Sequence, residues 1–167
     1  METPRFAVVL SGCGVFDGSE IHEAVCALLA IAEAGCAYQC FAPNTWQAKT
    51  VDHFTGEASA IAGDADNRNV LAESARIARG NILDLSEFNP KDFDAIIFPG
   101  GFGAAMNWSN FAVRGPACEV NEEVERALNA SYEAGIVIGA MCIAPTVVAR
   151  VLGKHKVKVT VGNDKAI

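Results

Sequence analysis

Short, mostly apolar runs recur along the chain, and the segments between several of them have apolar residues spaced as in a helix. Residues 6–10, 38–42, 94–98 and 136–140 are such runs, and Gly or Pro punctuates each of them. Strands that are buried on both faces of a parallel sheet have this character, because helices cover the sheet from both sides. The alternation predicts an α/β fold, a three-layer αβα sandwich with a mostly parallel sheet.

Helical spacing is predicted over 18–34, 69–79 and 121–134, and from Pro145 onward. Asp17, followed three residues later by Glu20, has the spacing of a helix N-cap with its partner, and Gly35 is the expected stop. Residues 46–67 lack periodicity and are expected to form a loop or excursion at a sheet edge, whereas 157–161 is expected to be another strand. No repeat or internal boundary appears, so 1–167 is predicted to be a single domain.

The charge balance argues against two classes of partner. The formal net charge is −7, with 13 Lys and Arg against 20 Asp and Glu. Phosphate backbones and anionic lipids are bound through clustered Lys and Arg, and the only basic run, 154–158, is expected to be a solvated strand edge. No nucleic acid or membrane partner is therefore expected, and residues 1–5 lack the features of a leader, which indicates a cytoplasmic location.

Six cysteines are present, but they form no Cys-x-x-Cys pair. They sit in core-like segments, so most are expected to be small buried hydrophobic residues of a reduced protein. Neither a disulfide framework nor a metal site is predicted. Any reactive cysteine must be argued from its local setting.

Cys142 has such a setting. It follows the run 136–140 and precedes the helix near Pro145, with small residues around it. This is the context of a nucleophile elbow, in which a turn between strand and helix lifts the side chain outward. The helix N-terminus favours the thiolate, so Cys142 is the predicted reactive centre. A cysteine buried in a tight turn is the alternative.

Four further candidates, Gly100, Gly101, Ile143 and Glu23, are expected at the same end of the sheet, where parallel sheets bind ligands. Gly100 and Gly101 permit successive amides to point at one spot, as an oxyanion hole requires, and Ile143 adds its own amide. A plain Pro-Gly-Gly turn is the alternative. Glu23 lies one turn into the first helix, where a desolvated carboxyl would hold its proton and hydrogen-bond a thiolate. A first-turn carboxylate that complements the helix dipole is the alternative there.

Cys13 and Asn107 are candidates for the wall of the pocket. Cys13 follows the first run and is expected to be buried in its Gly-Cys-Gly turn, with a regulatory disulfide to Cys142 as the alternative. Asn107 and the three residues after it are expected to line the mouth of the site. Trp108 is equally suited to a dimer contact.

Four segments resemble the ThiJ/PfpI superfamily of the class I glutamine amidotransferase-like fold, and most nearly its enhancing-lycopene-biosynthesis (ElbB-like) group. They are residues 11–23, 68–80, 99–105 and 141–145. The resemblance covers essentially the whole chain and implies a flavodoxin-like sandwich. By position it assigns the nucleophile to Cys142, the family glutamate to Glu23 and the oxyanion amides to Gly101 and Ile143. It also implies a homodimer that uses no cofactor.

Members of this group are described as glutathione-independent glyoxalases. The resemblance therefore implies a glyoxalase III-like lyase that converts glyoxal or methylglyoxal to hydroxy acids. A redox sensor that is oxidised at Cys142, or an isoprenoid-linked regulatory module, remains an alternative. Protease and amidotransferase relatives carry a general-base histidine where this chain has Ile143 and Gly162, so peptidase and glutaminase activities are not expected.

Length is a second departure from the family pattern. Relatives continue through further strands and a closing helix, whereas this sequence stops at Ile167. The domain is therefore predicted to lack those elements. Either a partner subunit covers the sheet edge or the sequence is a portion of a longer product, and both readings stay open.

Overall fold

The computed structural model describes residues 3–162, which form a five-stranded parallel sheet and a separate two-stranded hairpin. The strands are β1 (Arg5–Val9), β2 (Ala37–Ala42), β3 (Lys49–Val51), β4 (Ala58–Ile61), β5 (Ile82–Asp84), β6 (Ala95–Phe98) and β7 (Val137–Ala140). The α-helices are α1 (Ile21–Glu33), α2 (Val70–Ala78), α3 (Phe102–Met106), α4 (Phe111–Arg114), α5 (Glu122–Ala134) and α6 (Ala144–Leu152).

Alternate side chains of β1 enter two separate cores. Val8 packs in a cluster that contains residues of α1 and α2, whereas Ala7 and Val9 pack in a cluster with residues of α3, α5 and α6. Successive side chains of a strand point to opposite faces, so both faces of the sheet are covered. The predicted three-layer αβα sandwich is confirmed.

The order of strands in the main sheet locates its binding crevice. The order is β5-β2-β1-β6-β7, and all neighbours are parallel. The chain builds outward from β1 to β5 and then returns to the other side of β1 with β6. Parallel sheets bind ligands at such a reversal, beyond the carboxyl ends of the strands. The loops that follow β1 and β6 therefore meet at this point.

The start of α1 differs from the prediction. Glu20 is the N-cap, and its carboxylate accepts a hydrogen bond from the backbone N–H of Glu23 at 2.8 Å. The helix begins late because Glu20 first donates its own N–H to the carbonyl of Gly100, at 2.9 Å. Asp17 is buried and instead accepts from the N–H of Val51 at 2.8 Å, so the N-cap prediction for Asp17 is wrong. Gly35 ends α1 as predicted, with φ of +70°.

Residues 46–67, predicted to be a loop or an excursion at a sheet edge, contain the antiparallel pair β3 and β4, so they are an excursion with its own hairpin and not a plain loop. Buried polar side chains hold this hairpin on the loop after β1. Gln47 donates its amide N–H to the carbonyl of Asp17 at 2.9 Å, and Ala48 donates its backbone N–H to Oδ1 of Asn107 at 2.9 Å. These partners are distant in sequence, so local patterning does not reveal the hairpin.

Residues 157–161 do not form the predicted strand. Lys158, Val159 and Thr160 line one small cavity with Ile138 and Ala140, yet they enter no ladder with β7. Their β-branched residues have a high propensity for strands, but these residues pair with no neighbouring strand. Strand propensity alone does not form a strand. Every helix within 3–162 is too short or too polar to traverse a bilayer.

Candidate active site

Cys142 lies at the turn between β7 and α6. The backbone N–H of Met141 donates to the carbonyl of Phe98 at 3.0 Å, which extends the ladder to the edge of the turn. Cys142 itself has φ of 55°, in the left-handed region that non-glycine residues rarely adopt. Its side chain is exposed rather than packed in the turn. This is the strained, outward-pointing geometry of a nucleophile elbow.

Glu23 and Cys142 meet over Gly100. Oε2 of Glu23 accepts a hydrogen bond from the backbone N–H of Gly100 at 2.7 Å. A methyl group built on Gly100 would collide with Cβ of Cys142 and lie 2.7 Å from Oε2 of Glu23, so the two side chains flank one point. Within the described part of the chain, no hydrogen bond joins Glu23 to the sulfur of Cys142. The amide of Gly100 orients the carboxylate and is not available to an oxyanion, which corrects the expectation for Gly100.

The amides of Gly101 and Ile143 are the remaining candidates for an oxyanion hole. Among residues 3–162, neither N–H donates to a protein acceptor. Gly101 has φ of 99°, and a methyl group on it would collide with the backbone of residues 18–20. Only glycine fits there, because the loops after β1 and β6 touch at this residue. Both residues line the same cavity as Cys142.

That cavity has a volume of about 360 Å³ and is almost wholly apolar. None of its lining residues carries a charge. They are Val15, Gly101, Phe102, Ala105, Phe111, Ala112, Cys142 and Ile143. An apolar wall with a few polar groups at one end is the usual form of a small-molecule site.

Asn107 does not line this cavity, so its predicted place at the mouth of the site is wrong. It is buried, and its amide NH₂ donates to the carbonyls of Ser11 at 2.8 Å and Asp17 at 2.7 Å. These bonds and the one from Ala48 make Asn107 a structural tie between three segments. Trp108 is fully buried and donates its indole N–H to the carbonyl of Leu10, so it belongs to the core and neither to the mouth nor to a surface contact.

All six cysteines are free thiols. Cys13 is half-buried and lies near Arg68, Glu73 and Arg76; burial is the main cause that raises the pKa of its thiol, and the positive charge of Arg76 partly opposes it. The structure contains no Cys13–Cys142 disulfide. Only Cys40 and Cys118 are buried, whereas Cys13 and Cys36 are partly buried and Cys26 and Cys142 are exposed, so the prediction that most of the cysteines are buried is wrong.

The three histidines lie in other settings. His22 pairs with the Glu20 carboxylate at 2.7 Å, and His53 lies beside Phe16 and Asp17. His155 stacks on the ring of Tyr132 with centroids 4.2 Å apart. Within residues 3–162 no histidine bonds to Cys142, and no cluster of three or more His, Cys, Asp or Glu side chains is arranged to hold a metal ion.

Sequence reasoning did not identify the apolar wall of the cavity. Val15 and Phe102 directly follow the glycines of the two loops, which was the one available signal for them. Phe111 and Ala112 lie on α4, a four-residue helix without a recognisable pattern. The hydrogen bond between Gly100 and Glu23 joins residues that are far apart in the chain, so no local sequence pattern predicted it.

Comparisons with known proteins give close relatives, although no protein-family model matches the chain. It is 52% identical over 161 residues to "Glutamine amidotransferase-like class 1 domain-containing protein 3, mitochondrial" of Homo sapiens, and 50% identical to "ES1 protein homolog, mitochondrial" of Rattus norvegicus. Each alignment covers 96% of this chain and 58% of the relative. The chain therefore spans less than two thirds of the length of these curated relatives.

Solved structures agree with this likeness. An isoprenoid biosynthesis protein with an amidotransferase-like domain from Ehrlichia chaffeensis has a TM-score of 0.82 and 40% identity, over 90% of this chain and 69% of that one. A ThiJ/PfpI domain protein from Brachyspira murdochii has a TM-score of 0.54 and 14% identity, over 90% of this chain and 65% of that one. The second likeness concerns the fold alone.

Proposed function

The chain belongs to the class I glutamine amidotransferase-like (ThiJ/PfpI) superfamily, and from this premise we propose that it is a cysteine-dependent, glutathione-independent glyoxalase-like enzyme. Its substrates are small reactive dicarbonyls such as glyoxal and methylglyoxal, and its products are hydroxy acids. One observation carries the proposal. The exposed Cys142 thiol stands on a left-handed turn beside the Glu23 carboxylate, and it is near Gly101 and Ile143, whose amides donate to no acceptor within residues 3–162.

The reaction begins at the aldehyde carbon of the substrate. The Cys142 thiolate forms a C–S bond there, and the π electrons of the carbonyl move to its oxygen. The N–H groups of Gly101 and Ile143 donate to this oxyanion. Fixed amide dipoles beside an apolar cavity stabilise such a charge better than mobile water does.

Glu23 then moves a proton. After the oxyanion has taken up the proton that the thiol released, Glu23 takes the hydrogen from the hemithioacetal carbon as a proton and returns it to the neighbouring carbon, while the hydroxyl proton passes to the neighbouring oxygen. The first carbon is thereby oxidised to a thioester and the second is reduced to an alcohol, so no external oxidant is needed. Water cleaves the thioester and releases the hydroxy acid and the free thiol. The N–H of Gly100 keeps the Glu23 carboxylate in place.

The test is methylglyoxal consumption with lactate detection in the absence of glutathione. Cys142→Ala should remove turnover, and Glu23→Gln should reduce it by about 10²–10⁴-fold because it removes general acid–base catalysis. Cys26→Ala is the matched control, since Cys26 is also an exposed cysteine but lies on the surface of α1. Equal activity of the native protein and Cys142→Ala would overturn the proposal.

A redox sensor is the second candidate, and the exposure of Cys142 favours it. Peroxide would oxidise the thiolate to a sulfenic acid, with water as the other product. Such a protein would form Cys142 sulfenic acid at low peroxide concentration and would leave methylglyoxal unchanged. Comparing both readouts on one preparation separates the two functions.

Assembly and location are also part of the proposal. We propose a homodimer, as the family resemblance implies, which light scattering of the purified protein tests. The cytoplasmic location stays a prediction, because the human and rat relatives are named as mitochondrial proteins. Fractionation of cells that express the natural protein decides between the two compartments.

A further inference from the structure

The residues that line the Cys142 cavity determine which carbonyl compounds can bind in it. Its lining contains Cys142, Gly101 and Ile143 together with the aromatic residues Phe102 and Phe111. The surface of the cavity is almost wholly apolar. A polar substituent therefore meets no charged side chain of the cavity wall.

The size of the cavity exceeds the needs of the smallest dicarbonyls. An apolar protein cavity of about 150 Å³ holds a benzene molecule. At about 360 Å³, the Cys142 cavity has room for a two-carbon dicarbonyl unit and a further group of that size. Glyoxal has no apolar substituent and methylglyoxal has one methyl group, so both leave most of the apolar wall without a contact.

We propose that the preferred substrates are 2-oxoaldehydes with an aryl or medium-length alkyl substituent, an inference that rests on the proposed function. The aldehyde carbon lies at Cys142, and the substituent lies between Phe102, Phe111 and Ala112. Transfer of the substituent from water to this wall stabilises the bound state. The chemistry is that of the proposed reaction, so phenylglyoxal and water yield mandelate with no other reactant.

The experiment compares kcat/KM for phenylglyoxal and methylglyoxal, with mandelate and lactate measured by chromatography. The native protein should favour phenylglyoxal by about tenfold or more, the scale of one good apolar contact in a pocket. Ala112→Trp fills the cavity from its exposed rim on α4 and should lower this ratio about tenfold. Val113→Trp is the matched control, because the adjacent Val113 is 87% exposed and lies outside the cavity, so the ratio should stay unchanged.

A labelling arm tests the cavity without turnover. The alkylation rates of Cys142 by phenacyl bromide and by iodoacetamide are measured by peptide mapping, with Cys26 as the internal reference. The phenacyl-to-iodoacetamide ratio should be higher at Cys142 than at Cys26, and Ala112→Trp should abolish the difference.

The outcomes separate the two claims. Methylglyoxal turnover with no preference for phenylglyoxal, and equal labelling ratios at both cysteines, would overturn the substrate inference and leave the proposed function intact. A labelling preference without turnover of either compound would overturn the proposed function but support an aryl-binding cavity. Failure of both arms would overturn both claims.

Discussion

Glu23 and Gly100 are separated by 77 positions in the chain, yet Oε2 of Glu23 accepts the backbone N–H of Gly100 at 2.7 Å. This bond joins the first helix to the loop after β6 at the switch point of the sheet. It fixes the carboxylate beside the Cys142 elbow. The reactive geometry therefore depends on a glycine that contributes no side chain.

Substitution of Gly100 by alanine should disable the site. The new methyl group would collide with Cβ of Cys142 and crowd the Glu23 carboxylate, so one of the two must move. Displacement of reacting groups by about 1 Å costs on the order of 10²-fold in rate, and we expect at least that loss of dicarbonyl turnover. Steady-state kinetics measures it.

Gly139→Ala is the control for this substitution. Gly139 lies in β7, and a methyl group there would meet its nearest side chain, Ile97, at an ordinary 3.5 Å. Its turnover should remain near that of the native protein. Equal losses in both variants would show that Gly100 has no special role.

Removal of the Asn107 side chain should destabilise the domain. Its amide connects Ser11, Asp17 and Ala48, and Asn107→Ala would leave the buried carbonyl of Ser11 without this donor, whereas the carbonyl of Asp17 keeps the amide of Gln47 and the exposed Ala48 can reach water. A buried polar group without a partner costs about 1–3 kcal/mol, so we expect a loss of that size in the free energy of unfolding. Urea titration measures it. Asn129→Ala, which removes an exposed bond to the carbonyl of Glu125, should cost far less.

The cysteines should differ in their rates of alkylation. Burial raises the pKa of Cys13, and it raises that of Cys40 to about 11, so little thiolate forms at either residue near neutral pH. Iodoacetamide at pH 7.5 should therefore modify the exposed Cys26 and Cys142 first. Peptide mapping of a time course gives the order. Faster labelling of Cys13 than of Cys26 would contradict the described burial.

The Glu20–His22 pair should make a pH-dependent contribution to the start of α1. Its hydrogen bond raises the pKa of His22 and lowers that of Glu20. The His22 contribution is fully present below the unfolded-state pKa of histidine and is lost as the pH rises through the raised folded value. The Glu20 contribution is present above its unfolded-state pKa and is lost as the pH falls through its lowered folded value.

An NMR titration of the His22 imidazole checks this pair. Glu20→Gln should shift the pKa of His22 downward, towards its ordinary value, because the charged acceptor is gone. The chemical shift of the His155 imidazole at a fixed pH serves as the reference for intact folding and should be the same in both proteins, because His155 stacks on Tyr132 far from Glu20 in sequence. An unchanged His22 titration in Glu20→Gln would contradict the pairing.

Sequence patterning predicted the parts of this molecule that local physics determines. The apolar runs identified β1, β2, β6 and β7, and glycines correctly marked the ends of α1 and α5. The family motifs directed attention to Cys142 and Glu23, and the fold brings these two side chains to one point.

Local sequence patterns did not predict the features that depend on contacts between residues far apart in the chain. Asp17 has the sequence spacing of an N-cap, but its carboxylate accepts a hydrogen bond from the N–H of Val51. Val51 lies on a hairpin that the hydrophobic periodicity of the sequence does not predict. Asn107 follows the Gly100–Gly101 loop in the sequence, yet its side-chain amide forms hydrogen bonds with three backbone groups and does not face the cavity. The apolar wall of the cavity is assembled from three separate segments, and only the folded chain brings them together.

The most direct test of the central claim is a mass spectrum of Cys142 during turnover. Methylglyoxal reacts with the native protein, acid stops the reaction within the first turnovers, and peptide mapping at acid pH, where a thioester survives, locates any adduct. We predict a mass increase equal to one methylglyoxal on the Cys142 peptide, absent from the Cys26 peptide and from the Cys142→Ala protein. Lactate formation with no adduct at Cys142, or with the adduct at another cysteine, would contradict the claim that Cys142 is the nucleophile.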